Sequence, residues 1–178
     1  MENINKKSKV KSQNSKIKSQ KLIMRKTIVL GICALPLFTM AQVTTATIEK
    51  SAKDINDSVI AWRRHIHQFP ELSNRETNTM NYIVSKLQGL GLEIKAPFAK
   101  TGVVAILRGG KPGPVVALRA DIDALPVVER GNLPFASKLT SEYNGQKVGV
   151  MHACGHDSHT AILLGTANAL SKMKKEVP

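Results

Sequence analysis

Val115-Val116-Ala117-Leu118-Arg119-Ala120-Asp121-Ile122-Asp123 reads as an apolar strand that runs straight into two carboxylates. Val115 to Ala120 is apolar on both faces apart from Arg119, which predicts a strand buried near the middle of a sheet. The sequence before it supplies partners for that sheet. Ile55, Val59, Trp62 and Ile66 recur at helical spacing and predict a helix from about Asp54 to Gln68, stopped by Pro70. Ser73-Asn74-Arg75-Glu76 reads as a capping box that opens a second helix, with Met80, Ile83, Val84, Leu87 and Leu90 on one face and Gly89 and Gly91 at its end. Leu92–Phe98 and Val103–Leu107 are further strand candidates, and Arg108 to Pro114 is a turn by composition. Asp121 to about Val148 reads as a long irregular loop, a length that is usually functional or mobile. Thr160 to Lys174 reads as a closing helix. This order of elements predicts an α/β layered domain.

Two groups of residues carry chemistry. Asp121 and Asp123 stand at the carboxyl end of the expected strand, where ligands of open α/β sheets bind. Two carboxylates at i and i+2 can hold a cation or orient a histidine that holds one; a pair of turn aspartates is the alternative. The second group is Met151-His152-Ala153-Cys154-Gly155-His156-Asp157-Ser158-His159. Thiolate and imidazole together suit zinc and neighbouring transition metals. Cys154 and His156 share a side if the stretch is extended, Gly155 lets the backbone turn between them, and Asp157 is a candidate outer partner for a ligand histidine. Paired knuckles of Cys and His are absent, which argues against a zinc finger, so the pattern points to a site with a position open for water. Such a site needs a general base, usually Glu. Glu71, Glu76, Glu93, Glu129, Glu142 and Glu176 each read better as helix, turn or surface residues.

The formal net charge of +13 suggests nucleic acid until it is divided along the chain. Residues 1–41 hold nine Lys or Arg and one acid, so most of the excess sits in the leader. No basic stripe interleaved with aromatics follows, which excludes a nucleic-acid binder. Lys21, Arg25 and Lys26, the apolar run Thr27–Phe38 and the small residue Ala41 form the pattern of a secretory signal peptide. The run is short for a membrane span, so no stable anchor is expected after cleavage, and the expected location is secreted or periplasmic. Cleavage would leave Cys154 as the single cysteine, better explained as a metal-bound or protected thiolate than as a disulfide partner. The expected organisation is residues 1–41 as basic leader and signal peptide, 42–53 as a flexible lead-in, and 54–178 as the catalytic portion.

Three motifs occur in order: Ala61-Trp62-Arg63-Arg64-His65-Ile66-His67 with Pro70-Glu71-Leu72-Ser73, then Ala117 to Pro126, then Met151 to Asp157. Together they resemble the N-terminal part of the aminoacylase, hippurate hydrolase and auxin-conjugate hydrolase branch of the dinuclear-metal amidohydrolase and carboxypeptidase family. The resemblance covers roughly residues 55–175. It implies an incomplete zinc-peptidase-like catalytic domain: a mixed sheet flanked by helices, with the lid and dimerisation domain absent. It implies hydrolysis of N-acyl amino acids or related small peptide-like substrates, with a metallo-carboxypeptidase or dipeptidase as a further reading. Two divalent ions (Mn, Zn, Co or Ni) sharing a bridging water are implied, with Cys154 and His156 as ligands. Asp123 corresponds to the residue that steadies a ligand or the catalytic centre. Asp121, His152, Asp157 and His159 remain possible outer partners, and His65 and His67 are implied to be architectural. The family also carries a Glu-Glu pair with the general base, two further ligand histidines, and a lid through which a full-length relative forms a homodimer. None of these is expected within the 178 residues, so a non-catalytic remnant is the rival reading.

Overall fold

The computed structural model describes residues 43–178. The signal-peptide reading, residues 1–41, falls outside them. Helix α1 spans Thr45–Gln68, so it begins well before Asp54 and takes up most of the stretch expected to be a flexible lead-in. Thr44 is its N-cap, with Oγ1 accepting the Thr47 N–H at 3.2 Å, which satisfies one of the free donors of the first turn. The helix ends at Phe69, whose N–H still donates to the His65 carbonyl, just before Pro70.

Helix α2 spans Thr77–Leu87, and its start corrects the capping-box reading. Ser73 makes no bond to the helix. The Glu71 carboxylate caps it instead, accepting the N–H of Asn78 at 3.2 Å and of Thr79 at 2.8 Å. A carboxylate there also meets the positive end of the helix dipole. Glu76, expected to reach back in the capping box, is buried and instead accepts the Thr101 hydroxyl at 2.6 Å. Gly89 and Gly91 follow with φ of 80° and 71°, backbone that glycine adopts without steric cost.

Strands β1 (Glu93–Phe98) and β2 (Gly102–Ile106) form one antiparallel hairpin. A second, β3 (Thr140–Tyr143) with β4 (Gln146–Gly149), lies inside the stretch expected to be irregular. Its signal was Asn144-Gly145. Both residues have positive φ, 50° and 74°, as a two-residue hairpin turn that matches strand twist requires. Two isolated bridges, Leu72 parallel to Ala124 and Leu125 antiparallel to Met151, give the sheet component its mixed character. The strand expected at Val115–Ala120 does not form. Nothing among the described residues pairs with it, and Val115 is 99% exposed. A strand apolar on both faces needs neighbours on both edges and cover on both sides, and here it has neither.

Helix α3 spans His156–Lys172. Asp157, Thr160, Ala161, Leu164 and Gly165 form its buried stripe, recurring every three or four residues. Leu164 joins Ile83 and Leu87 in a cluster against which Trp62, Leu90, Ile94, Val103 and Ile122 pack. A smaller cluster of Leu72, Ala124 and Val150 sits beside the two bridges. Helices α1 and α3 cross at Gly165, where an added Cβ would lie 2.6 Å from Val59 Cγ2. Gly165→Val is therefore expected to destabilise the fold by about 1–3 kcal/mol through overpacking. Adding Val59→Ala should recover part of that loss in a urea titration; strictly additive losses would show that the two side chains do not meet.

Candidate metal centre

The two bridges bring the sequence motifs together. Ala124 N–H donates to the Glu71 carbonyl at 2.8 Å, and Leu125 and Met151 exchange backbone bonds at 3.0 and 3.1 Å. Residues 70–73, 121–126 and 151–157 thereby become neighbours. The chain turns at Gly155, the N-cap of α3, in the left-handed region at φ 83°. Cys154 lies just before this corner with its thiol exposed and unbridged. His156 is the first residue of the helix.

His156 Nδ1 lies 2.9 Å from the Asp123 carbonyl and 3.1 Å from Asp123 Oδ1. Both are acceptors, so Nδ1 carries the hydrogen, and Nε2 is left uncommitted. This is the arrangement by which a carboxylate fixes the tautomer and aim of a metal-binding histidine. Asp121 is placed differently. Its carboxylate accepts from Arg119 at the surface, and only its carbonyl reaches α3, accepting from Thr160 Oγ1 at 3.1 Å. His159 is exposed, its ring centroid 6.5 Å from that of His156.

Asp157 is the most deeply buried charged residue of the region, at 1% exposure. It does not partner a histidine of its own motif. Its Oδ2 accepts from Arg63 Nε at 2.7 Å and bonds His67 Nδ1 at 2.9 Å. Burial opposes its ionisation, but the His67 bond and the Arg63 charge outweigh burial and hold its carboxyl below the ordinary range. His67 Nε2 faces Glu129 Oε1 at 3.1 Å, and Glu129 Oε2 accepts the Ser137 N–H. Burial likewise opposes charge on Glu129, and the Ser137 N–H and His67 prevail, lowering it too. The sequence places Glu129 among helix, turn or surface residues and Arg63 in an architectural motif, without indicating the partner of either. Nothing local marks either one, because their partners are 94 and 62 residues away. His65, the other histidine of the first motif, stacks on Tyr82 at 3.9 Å between centroids.

His152 is 4% exposed, and neither ring nitrogen has a partner. Desolvation pushes its pKa down to about 4, against a smaller upward pull from Asp157. Its ring is therefore neutral, with a lone pair available. Cys154, His152 and His156 thus have the soft and intermediate donor chemistry that divalent transition metals select. Among the described residues, however, no three His, Cys, Asp or Glu side chains converge closely enough to hold an ion by themselves.

Residues 117–178 match the model of Peptidase family M20/M25/M40. The chain is 47% identical over 135 residues to an N-acyl-L-amino acid amidohydrolase of Geobacillus stearothermophilus, covering 75% of this chain and 34% of the relative. It is 47% identical over 128 residues to thermostable carboxypeptidase 1 of Saccharolobus solfataricus, covering 71% of this chain and 30% of the relative. A crystal structure from Bacillus subtilis, described as a dinuclear metal binding peptidase from the M20 family, superposes with a TM-score of 0.61 at 46% identity. That match covers 69% of this chain and 32% of the other. The chain therefore resembles the N-terminal part of these hydrolases, with a fold that matches part of their catalytic domain, and spans about a third of the length of the relatives it matches.

The His152 environment has a measurable consequence. Its folded pKa of about 4 lies below the ordinary 6.5, so the unfolded chain takes up the proton first. Stability is then undiminished above about 6.5 and falls as pH drops towards about 4, by at most about 3 kcal/mol. Urea midpoints across that window should show the slope, and His152→Phe should flatten it. An unchanged slope in the variant would assign the loss to other groups.

Proposed function

We propose that this chain is the N-terminal, metal-holding portion of an exported amidohydrolase that cleaves the amide bond of N-acyl amino acids or related small peptide-like substrates. The observation that carries it is the Asp123–His156 pair beside Cys154, set at a left-handed glycine corner by two β-bridges. In this reading Cys154 and His156 supply two ligands to a pair of divalent ions drawn from Mn, Zn, Co or Ni, and the remaining ligands come from elsewhere. When bound, the ions supply Lewis-acid polarisation of the amide carbonyl. Asp123 holds the His156 ring by Nδ1 and leaves Nε2 for an ion. Neutral His152 lines the buried side of the corner without adding charge. The resemblance adds a homodimer for a full-length relative, and the basic leader with the apolar run Thr27–Phe38 supports export. No helix among the described residues is long and apolar enough to cross a membrane.

The carboxypeptidase named among the relatives supports a second substrate class on the same site. The full-length protein, purified with Mn2+ or Zn2+ and assayed on N-acyl amino acids and dipeptides, is expected to show chelator-sensitive hydrolysis of at least one class, whereas these 178 residues alone are expected to be inactive. No turnover by the full-length protein on any substrate would overturn the proposal and leave the non-catalytic reading, which the lack of a three-donor group among the described residues favours. Asp123→Ala is expected to weaken Co2+ or Zn2+ affinity roughly 10–100-fold, the usual effect of losing a partner that orients a ligand. Calorimetric titration would measure it; unchanged affinity would remove Asp123 from the site.

A further inference from the structure

We propose that His67 is a positioning residue: clamped between Glu129 and Asp157, it fixes the first turn of α3 and so the aim of the Cys154–His156 corner. The proposal rests on the metal-site reading above. His67 is 3% exposed in the last turn of α1, and each ring nitrogen faces a carboxylate oxygen, at 2.9 Å and 3.1 Å. The two nitrogens belong to one planar ring, so neither contact can be made without constraining the other. The rigid ring then sets the distance between the two acids.

One end of this bridge is anchored in the loop, where Ser137 N–H holds Glu129. The other end is Asp157, the covalent neighbour of His156. Charge balance alone would not require the histidine, because Arg63 already meets Asp157 Oδ2 at 2.7 Å. What the ring adds is direction: it ties Asp157 to a second element and prevents the helix start from rotating. A continuous polar path thus runs from Ser137 through Glu129, His67 and Asp157 to the first turn of α3. From there His156 meets Asp123 at 3.1 Å.

The test compares His67→Leu, His67→Asn and Glu129→Gln with the parent protein. Asn places an amide N–H where Nδ1 stood and keeps the bond to Asp157. Hydrogen exchange of the metal-free protein reads the Ser158 and His159 amides, which both donate to the Gly155 carbonyl. His67→Leu is expected to speed these two roughly tenfold or more through local opening while the helix centre near Leu164 stays protected. His67→Asn should restore them to within about threefold of the parent, with Glu129→Gln between. A Co2+ titration, read by the thiolate-to-metal absorption band of Cys154, should show His67→Leu weakened roughly 10–100-fold and His67→Asn recovering most of it.

First-turn exchange unchanged in His67→Leu would overturn the proposal. So would equal acceleration along all of α3 in both Leu and Asn variants, which marks ordinary core loss. If His67→Leu does not fold, Glu129→Gln and His67→Asn decide by the same exchange pattern. A parent protein that binds no Co2+ would defeat the metal-site reading, while the exchange result would still decide whether His67 positions the corner.

Discussion

The buried Asp157 carboxylate is the constraint on which the rest of this structure depends. A charge with 1% exposure is costly unless it is paired. Asp157 is paired twice, by Arg63 and His67, both on α1. Those bonds lock the start of α3 against the end of α1, and the crossing at Gly165 lets the two helices approach further along. Arg63 supplies the countercharge and His67 ties the same oxygen to a second element, which is why both residues of the first motif belong with the site although neither is a candidate ligand.

Around that lock the donor corner is assembled from weak local parts. Gly155 supplies a left-handed turn, the Leu125–Met151 bridge supplies register, and Asp123 supplies the acceptor that orients His156. None of these would hold a histidine in place alone. Their combined effect is an imidazole with one nitrogen committed and one free, next to an exposed thiol. Burial acts on His152 in the same direction by another route, keeping its ring neutral at the inner wall.

Much of the architecture was legible because it depends on local periodicity. The apolar spacing of Ile55, Val59, Trp62 and Ile66, and of Ile83 and Leu87, gave the two helices; Pro70 and the Gly89–Gly91 pair gave their ends. Where local rules competed, the reading failed. Ser73 and Glu76 fit a capping box, yet Glu71 reaches the helix first, because the chain between them turns back at Asn74 with φ 64°. Val115–Ala120 has strand composition, but a strand is completed by its neighbours and none pairs with it among the described residues. Asn144-Gly145 was a readable hairpin signal that the length of the surrounding loop obscured.

The sequence by itself determined the chemistry available here: a thiol, three histidines and an aspartate within nine residues, an aspartate pair upstream, and helices patterned to support them. Only the tertiary structure decided which of these meet. It joined Asp123 rather than Asp121 to His156, gave Asp157 to Arg63 and His67 rather than to its own neighbours, and sealed His152 away from water. The physical reason is separation along the chain. A residue's type and local spacing are written within a few positions of it, whereas burial and pairing here arise between residues 33 to 94 positions apart, and only packing brings those together.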